Sequence, residues 1–433
     1  MSSVKSKKGF IFIITVAFLI TGNLIGAGIL GLPVNTGLDG FFPSLLVMLI
    51  FGGAMFFTAV VLGGEAAESR KESFNYPSLY HRYLGSWGKW IAVMANMLIL
   101  YGLLTAYLAG GATIICQLFN FTHGAWIILI VLFSILTGLT VLGTSVIRKY
   151  NALLMILLWG SFAVIVFIAE EHVESKRLFM VDWQFIPMSI PIIVTSFHFH
   201  NIIPNITESL DWDMKALWKA MLAGMIIGYL MNATWIMVGV GVLPYAGGDE
   251  SLLYAFKHNL PATVPMAEAI KSSTFTTCSM LFALLAITTS YIANGLGLMG
   301  FNQDLTENFF KKSSKLLVIT VTFLPPLIIG LLFPDIFLKA INLVGGVGIV
   351  LLFGILPSII CYLKAKGKKA VRTLAVLMFF LFLLVFLFQV AEECGVVNIQ
   401  PKPEDIKDVK QEKIVKHETP VKEQKSIDRE TKK

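Results

Sequence analysis

Two stretches of this chain are long and apolar enough to cross a membrane, yet each is broken near its middle. The first contains Gly22-Asn23-Leu24-Ile25-Gly26-Ala27-Gly28-Ile29-Leu30-Gly31-Leu32-Pro33. The second contains Val194-Thr195-Ser196-Phe197-His198-Phe199-His200-Asn201, framed by Pro187, Pro191 and Pro204. In hydrocarbon an unpaired backbone N–H or C=O costs several kcal/mol, so a lipid-facing helix stays regular. Glycine clusters, prolines and paired histidines at that depth are tolerable only where protein encloses a cavity. Interrupted helices at matching places in two halves of a chain are the sequence mark of a membrane binding site.

The rest of the chain fits that setting. It is 56% hydrophobic and 14% charged, against about 25% charged in a soluble domain. It therefore reads as an integral membrane protein. Cys116, Cys278, Cys361 and Cys394 are scattered without zinc or disulfide spacing and read as small apolar fillers. No secretory cleavage pattern interrupts the first apolar run.

A helical span needs about 20 apolar residues. On that basis eleven spans are expected: 10–35, 41–64, 89–118, 124–143, 151–169, 187–208, 218–242, 274–300, 315–333, 340–363 and 370–391. The first ten divide into two sets of five, each opening on an interrupted span, which predicts a five-plus-five inverted repeat. Residues 1–9 form a short N-terminal segment, 10–391 the transmembrane domain, and 392–433 a polar tail expected to be disordered.

The tail holds ten basic and ten acidic residues, so the net charge of +7 lies in 1–391, where 24 basic residues face 17 acidic ones. With the N-terminus cytoplasmic, 19 of those basic residues fall in inside segments and five outside. The excess is thus a topology signal rather than a nucleic-acid footprint. An odd span count then sends the C-terminal tail to the external side. Nothing in the sequence sets an oligomeric state.

At the two interrupted motifs quoted above, together with Ile202-Ile203-Pro204, the Asp213-Met214-Lys215 loop and Thr289-Ser290, the chain resembles the hydroxy/aromatic amino acid permease family. This is the branch of the amino acid–polyamine–organocation superfamily that holds bacterial tyrosine and tryptophan transporters. The resemblance covers about residues 10–391. It implies an all-α membrane protein of the leucine-transporter fold in the bacterial inner membrane, proton-coupled uptake and no cofactor. The chain departs from the family pattern at His198, where a small residue is usual.

Individual residues carry the chemistry. If span 1 unwinds at Gly26-Ala27-Gly28, its second half presents helix N–H groups and a partial positive charge suited to a carboxylate. Carbonyls near Gly22 and Asn23 would suit an ammonium group. The competing explanation is a small-xxx-small packing face through Gly22 and Gly26. Ser196, Phe197, His198, Phe199 and His200 form the facing break, where an aromatic ring could stack and an imidazole could hold a proton or a fixed hydrogen bond. For His200, structure or substrate contact outweighs proton relay.

Tyr101 and Tyr107 in span 3 could reach a substrate carboxylate. Glu65, an acid within span 2, is a coupling candidate. Thr289 and Ser290 offer oxygen ligands for Na⁺, or hydroxyls bonded to their own helix.

These features predict import of an aromatic amino acid, tyrosine or tryptophan, by proton symport with alternating access, with the substrate and the lipid bilayer as partners and no nucleic acid. The alternatives are a sodium-coupled importer of a small neutral amino acid and a non-transporting amino acid sensor or scaffold. An enzyme is disfavoured: no metal cluster, phosphate loop or nucleophile triad stands in the sequence.

Overall fold

The computed structural model describes residues 9–70, 74–119, 121, 124–142, 144–310 and 314–399. Of these, the side chains of residues 27, 118, 144–152 and 308–310 are not described. Most of the N-terminal segment and residues 400–433 of the tail lie outside the described residues.

Among the described residues the protein is all helix, and ten helices are long and apolar enough to span a membrane, or eleven if the bent pair that opens the chain counts as one. That pair is Phe10–Leu24 and Ala27–Thr36, bent by 61°. Ile25 leaves helical geometry with ψ of 67°, and Gly26 is extended with φ −109° and ψ −153°. Span 2 is Phe41–Glu68, span 4 Ala125–Leu142, span 5 Thr144–Glu170 and span 7 Met214–Val242.

Two helices run well beyond the apolar windows. Span 3 lies in Tyr76–Leu118, which Gly85 interrupts at φ 64°. Span 8 lies in Ser273–Phe310. Spans 9 and 11 are Lys315–Leu332 and Lys369–Glu393.

Span 6 is composite. An α-helix, Ile186–Ser196, stops at Phe197, a single 3₁₀ turn follows at His200–Ile202, and Ile203–Ser209 completes the crossing. The prolines at 187 and 204 sit at helix starts, where a missing N–H costs nothing. Span 10 is also irregular: Phe337–Leu343 leads into a π-helical stretch, Val344–Ile355, and then Leu356–Lys364. Such a long π segment is rare and marks helices shaped by their neighbours. Here Gly345 lies so close to span 6 that a Cβ would sit 2.0 Å from the Pro191 carbonyl oxygen.

Burial sorts the spans into layers. The apolar windows of spans 6 and 10 are 67% and 78% buried, whereas those of spans 4 and 11 are each 22% buried. Spans 6 and 10 thus form the centre, and the outer spans present leucine and phenylalanine to lipid, including Phe167 and Leu384. The first half of span 1 packs on span 7, and the second half on the first half of span 6. Both breaks therefore face one another at the centre of the molecule.

Candidate functional site

The breaks border a cavity of about 450 Å³, in the range of small-molecule sites. From span 1 come Leu19, Gly22, Asn23, Leu24, Gly26 and Gly28. Span 6 supplies Thr195, His198, Asn201 and Ile202, span 3 Leu103 and Tyr107, and span 5 Met155. Span 8 supplies Thr289, Ser290 and Asn294 with the apolar side chains around them.

These residues show which way the cavity runs. Leu19, Gly22 and Asn23 precede the span 1 break, and Ile202 follows the span 6 break, so all lie toward the membrane face that carries the N-terminus. The opposite face is filled. Gly31 packs against Leu338 and Ile192, Gly110 against Phe337, and Gly37 against Leu252. The Ala262 N–H donates to the Leu30 carbonyl at 2.7 Å, drawing the segment between spans 7 and 8 onto span 1.

At the span 1 break glycine brings the backbone itself to the cavity. At the start of Ala27–Thr36 the Ile29 N–H donates to the Gly26 carbonyl at 3.3 Å; the N–H groups of Ala27 and Gly28 precede the first helical bond, and the helix dipole adds partial positive charge. Gly28 permits this close approach: a Cβ there would lie 2.8 Å from Ser196 Oγ and 3.2 Å from the Ser196 backbone nitrogen. Gly26 is less tightly held, since a Cβ there would lie 3.4 Å from Ser290 Oγ and 3.7 Å from Tyr107 Oη. The side chain of Ala27 lies outside those described.

Four buried polar atoms at the site have no protein partner: Ser196 Oγ, His198 Nε2, Asn201 Oδ1 and Asn294 Oδ1. A buried polar atom left unpaired costs roughly 1–3 kcal/mol, so these atoms mark places for water or a polar ligand. Asn294 is held ready by its amide, which donates to the Ser290 carbonyl at 2.9 Å and to Tyr107 Oη at 3.3 Å. Thr289, which lines the cavity, donates to its own helix at the Leu285 carbonyl, 2.9 Å away.

The histidines occupy different positions. His198 lines the cavity, while His200 lies behind it, fully buried. Their rings are parallel, 6.0 Å apart, and Phe353 of span 10 packs against both at 5.0 and 5.1 Å. His200 Nε2 pairs with the Thr58 hydroxyl at 3.0 Å, and the Tyr76 hydroxyl donates to the His200 carbonyl. Thus the unwound turn is tied to spans 2, 3 and 10.

Other residues singled out in the sequence lie elsewhere. Phe197 is buried against Gly52 of span 2 and Tyr229 of span 7, and Phe199 is buried against His200; neither lines the cavity. Tyr101 turns to span 9, donating to the Val321 carbonyl at 2.8 Å and accepting from Asn302 at 3.1 Å. Glu65, 1% exposed, sits at the end of span 2 with Lys364 at 2.6 Å and Tyr83 at 3.0 Å. Sequence reading passed over Asn201 and Asn294. The available clue to Asn294 was its spacing, one helical turn after Ser290.

Among the described residues, no aspartate, glutamate, lysine or arginine lines the cavity, and no cluster of metal-binding side chains occurs. The site can hold a molecule whose charges cancel, placing its carboxylate at a helix N-terminus and its ammonium among carbonyls and amide oxygens.

Ten or eleven long apolar helices around a partly polar cavity at facing breaks define a multi-span membrane protein. Residues 11–394 match the family described as the tryptophan/tyrosine permease family, and the chain belongs to it. It is a secondary transporter for an aromatic amino acid and a multi-pass protein of the bacterial inner membrane. Among its relatives, the tyrosine-specific transport system 1 of Haemophilus influenzae is 27% identical over 76% of this chain and 82% of its own length. The tryptophan-specific transport protein of the same organism is 26% identical, over 82% and 87% respectively. A glutamine transporter from Aliivibrio fischeri is 24% identical, over 82% and 90%. In fold, a mutant of the Eremococcus coleocola manganese transporter superposes with a TM-score of 0.63 at 16% identity, covering 94% of this chain and 92% of its own.

Proposed function

We propose that this permease imports tyrosine or tryptophan by proton symport, binding the amino acid in the cavity between the two breaks. The observation that carries this reading is the set of unpaired buried polar atoms, three oxygens and the His198 Nε2 nitrogen, at a site whose described lining holds no aspartate, glutamate, lysine or arginine. A zwitterion satisfies both ends of such a site. Its carboxylate meets the N-terminus of Ala27–Thr36, and its ammonium meets the carbonyl end near Asn23 with Asn201 and Asn294. The side chain then lies among Leu103, Met155 and Ile202, where an aromatic ring is accommodated. Tyrosine-specific and tryptophan-specific relatives support this choice.

In this reading the first ten spans form a five-plus-five inverted repeat with broken spans 1 and 6, as in the leucine-transporter fold. The N-terminus is cytoplasmic, and the C-terminal tail is external. The cavity then opens toward the cytoplasm, making this an inward-facing state; rocking one bundle against the other would expose it outside. His198 is the side chain best placed to exchange the coupling proton, because it lines the cavity. His200 orients it from behind, and Glu65 contributes at the cytoplasmic end through Lys364. Thr289 and Ser290 support the site; as cation ligands they would serve the alternative of sodium coupling.

The test uses protection from labelling. None of the four native cysteines lines the cavity, so they are replaced and Met155→Cys is introduced as a reporter. Tyrosine or tryptophan is expected to slow maleimide labelling at this position, with glutamine and serine far less effective. Protection by glutamine or serine without protection by the aromatic amino acids would overturn the assignment.

A further inference from the structure

A buried carboxylate far from the cavity has no role in the binding just described. Asp39 lies in the short connection between spans 1 and 2 and is fully buried, as are Ser44 and Ser189 beside it. Its Oδ1 is 3.1 Å from the Ser44 hydroxyl of span 2, and its Oδ2 is 2.9 Å from the Ser189 hydroxyl of span 6. The Asp39 carbonyl accepts from the Asp182 N–H at 3.0 Å. Gly40 completes the contact: its φ is +98°, and a Cβ would collide with the Met180 carbonyl oxygen. Asp39 thus sits at the junction that seals the face opposite the cavity.

The groups around it favour a neutral acid. No lysine, arginine or histidine pairs with Asp39 among the described residues; the charged neighbour is Asp182, whose carboxylate accepts from the Gln184 backbone and side chain. Toward the segment after span 7, the neighbour at Gly37 is apolar Leu252. The serines must also serve the carbonyls of Thr36 and Ile186, at 3.0 and 2.9 Å. Two hydroxyl protons therefore serve more oxygens than they can satisfy, and a proton on Asp39 would relieve the shortage.

We propose that Asp39 is a proton-binding site whose occupancy closes the external face by joining spans 1, 2 and 6. This rests on the alternating-access reading above, in which the sealed face is external. It assigns Asp39 a gating proton, distinct from the coupling proton at the cavity. Burial pushes the Asp39 carboxyl up to about 7, against the lowering effect of the two serines. When the face opens and water reaches the group, its affinity returns toward the ordinary carboxylate value near 4. Between these values the closed state binds the proton more tightly. Acid therefore favours closure, and this preference is lost as pH rises through about 7.

The experiment reads closure with a cysteine at Ile192, which is fully buried against Gly31 on the sealed face. Cys116, Cys278 and Cys361 are replaced, and exposed Cys394 serves as an internal reference for thiol reactivity. From pH 5.5 to 8, labelling of Ile192→Cys relative to Cys394 is expected to rise on the order of tenfold. Asp39→Asn, which mimics the protonated acid, should label slowly at every pH. Ser189→Ala removes a donor to the ionised form and should move the midpoint to higher pH, a readout that stands even if Asp39→Asn fails to accumulate. An unchanged pH slope in Asp39→Asn, an unshifted midpoint in Ser189→Ala, or a flat wild-type profile would overturn the proposal. Concentrative uptake by the same wild-type protein would show that the transport reading survives that failure.

Discussion

The two breaks at the centre of this permease are built from opposite materials. In span 1 the interruption is made by glycine, and what it offers a ligand is backbone. In span 6 it is made by rings, and Phe197, Phe199 and His200 are buried almost completely. Only His198 of that group reaches the cavity. The difference teaches a division of labour. In the proposed binding mode span 1 would supply charge complementarity through its peptide dipoles, which requires small residues. Span 6 holds the opposite wall rigid by anchoring it to Thr58, Tyr76 and Phe353.

The largest effect is expected where the two breaks touch. Gly28→Val places side-chain atoms against the backbone of Ser196, which cannot yield without displacing the span 6 turn. Uptake should fall by at least about 100-fold, as a displacement of about 1 Å can cause. Gly53→Ala is the matched control, because nothing lies within 4 Å of its added methyl. It should leave uptake within about twofold.

His200→Ala tests the rigidity of the other wall. It removes the Thr58 hydrogen bond and the ring contact with Phe353. A stability loss of roughly 2–4 kcal/mol is expected, read as a lowered unfolding temperature, together with impaired uptake. Normal stability with abolished uptake would instead give His200 a direct part in proton movement. Asn294→Ala has the smallest effect of the three. Losing one polar contact to substrate should raise Kd about tenfold while leaving the fold intact.

The spans were legible because a run of about 20 apolar residues is a coarse and redundant signal. Edges were not: the helix containing span 3 begins at Tyr76, before the apolar run, and span 8 extends to Phe310. Composition registers the bilayer's thickness, whereas helices continue into water wherever hydrogen bonding permits. The π-helical form of Val344–Ile355 had no local signature, since it depends on contacts with spans 3, 6 and 11.

The site was partly legible for a physical reason. Unwound backbone needs special residues, so Gly26, Gly28 and His198 announce themselves against an apolar background. Single asparagines do not, and Asn201 and Asn294 become meaningful only when the cavity brings them together. Tyr101 and Tyr107 show the limit of span-level reading. Six residues apart, they are rotated by about 240° on the helix, so one faces Asn294 and the other faces span 9. Asp39 left no sequence signal at all, because its significance comes from Ser44 and Ser189 closing over it.

The central claim is tested most directly by uptake of labelled tyrosine, tryptophan, phenylalanine and serine into proteoliposomes under an imposed proton or sodium gradient. The account predicts concentrative uptake of tyrosine or tryptophan that collapses when the proton gradient is dissipated and ignores sodium. Accumulation that follows sodium would contradict proton coupling and move the coupling site to Thr289 and Ser290. Aromatic binding without accumulation, in vesicles shown to hold their gradients, would contradict transport itself.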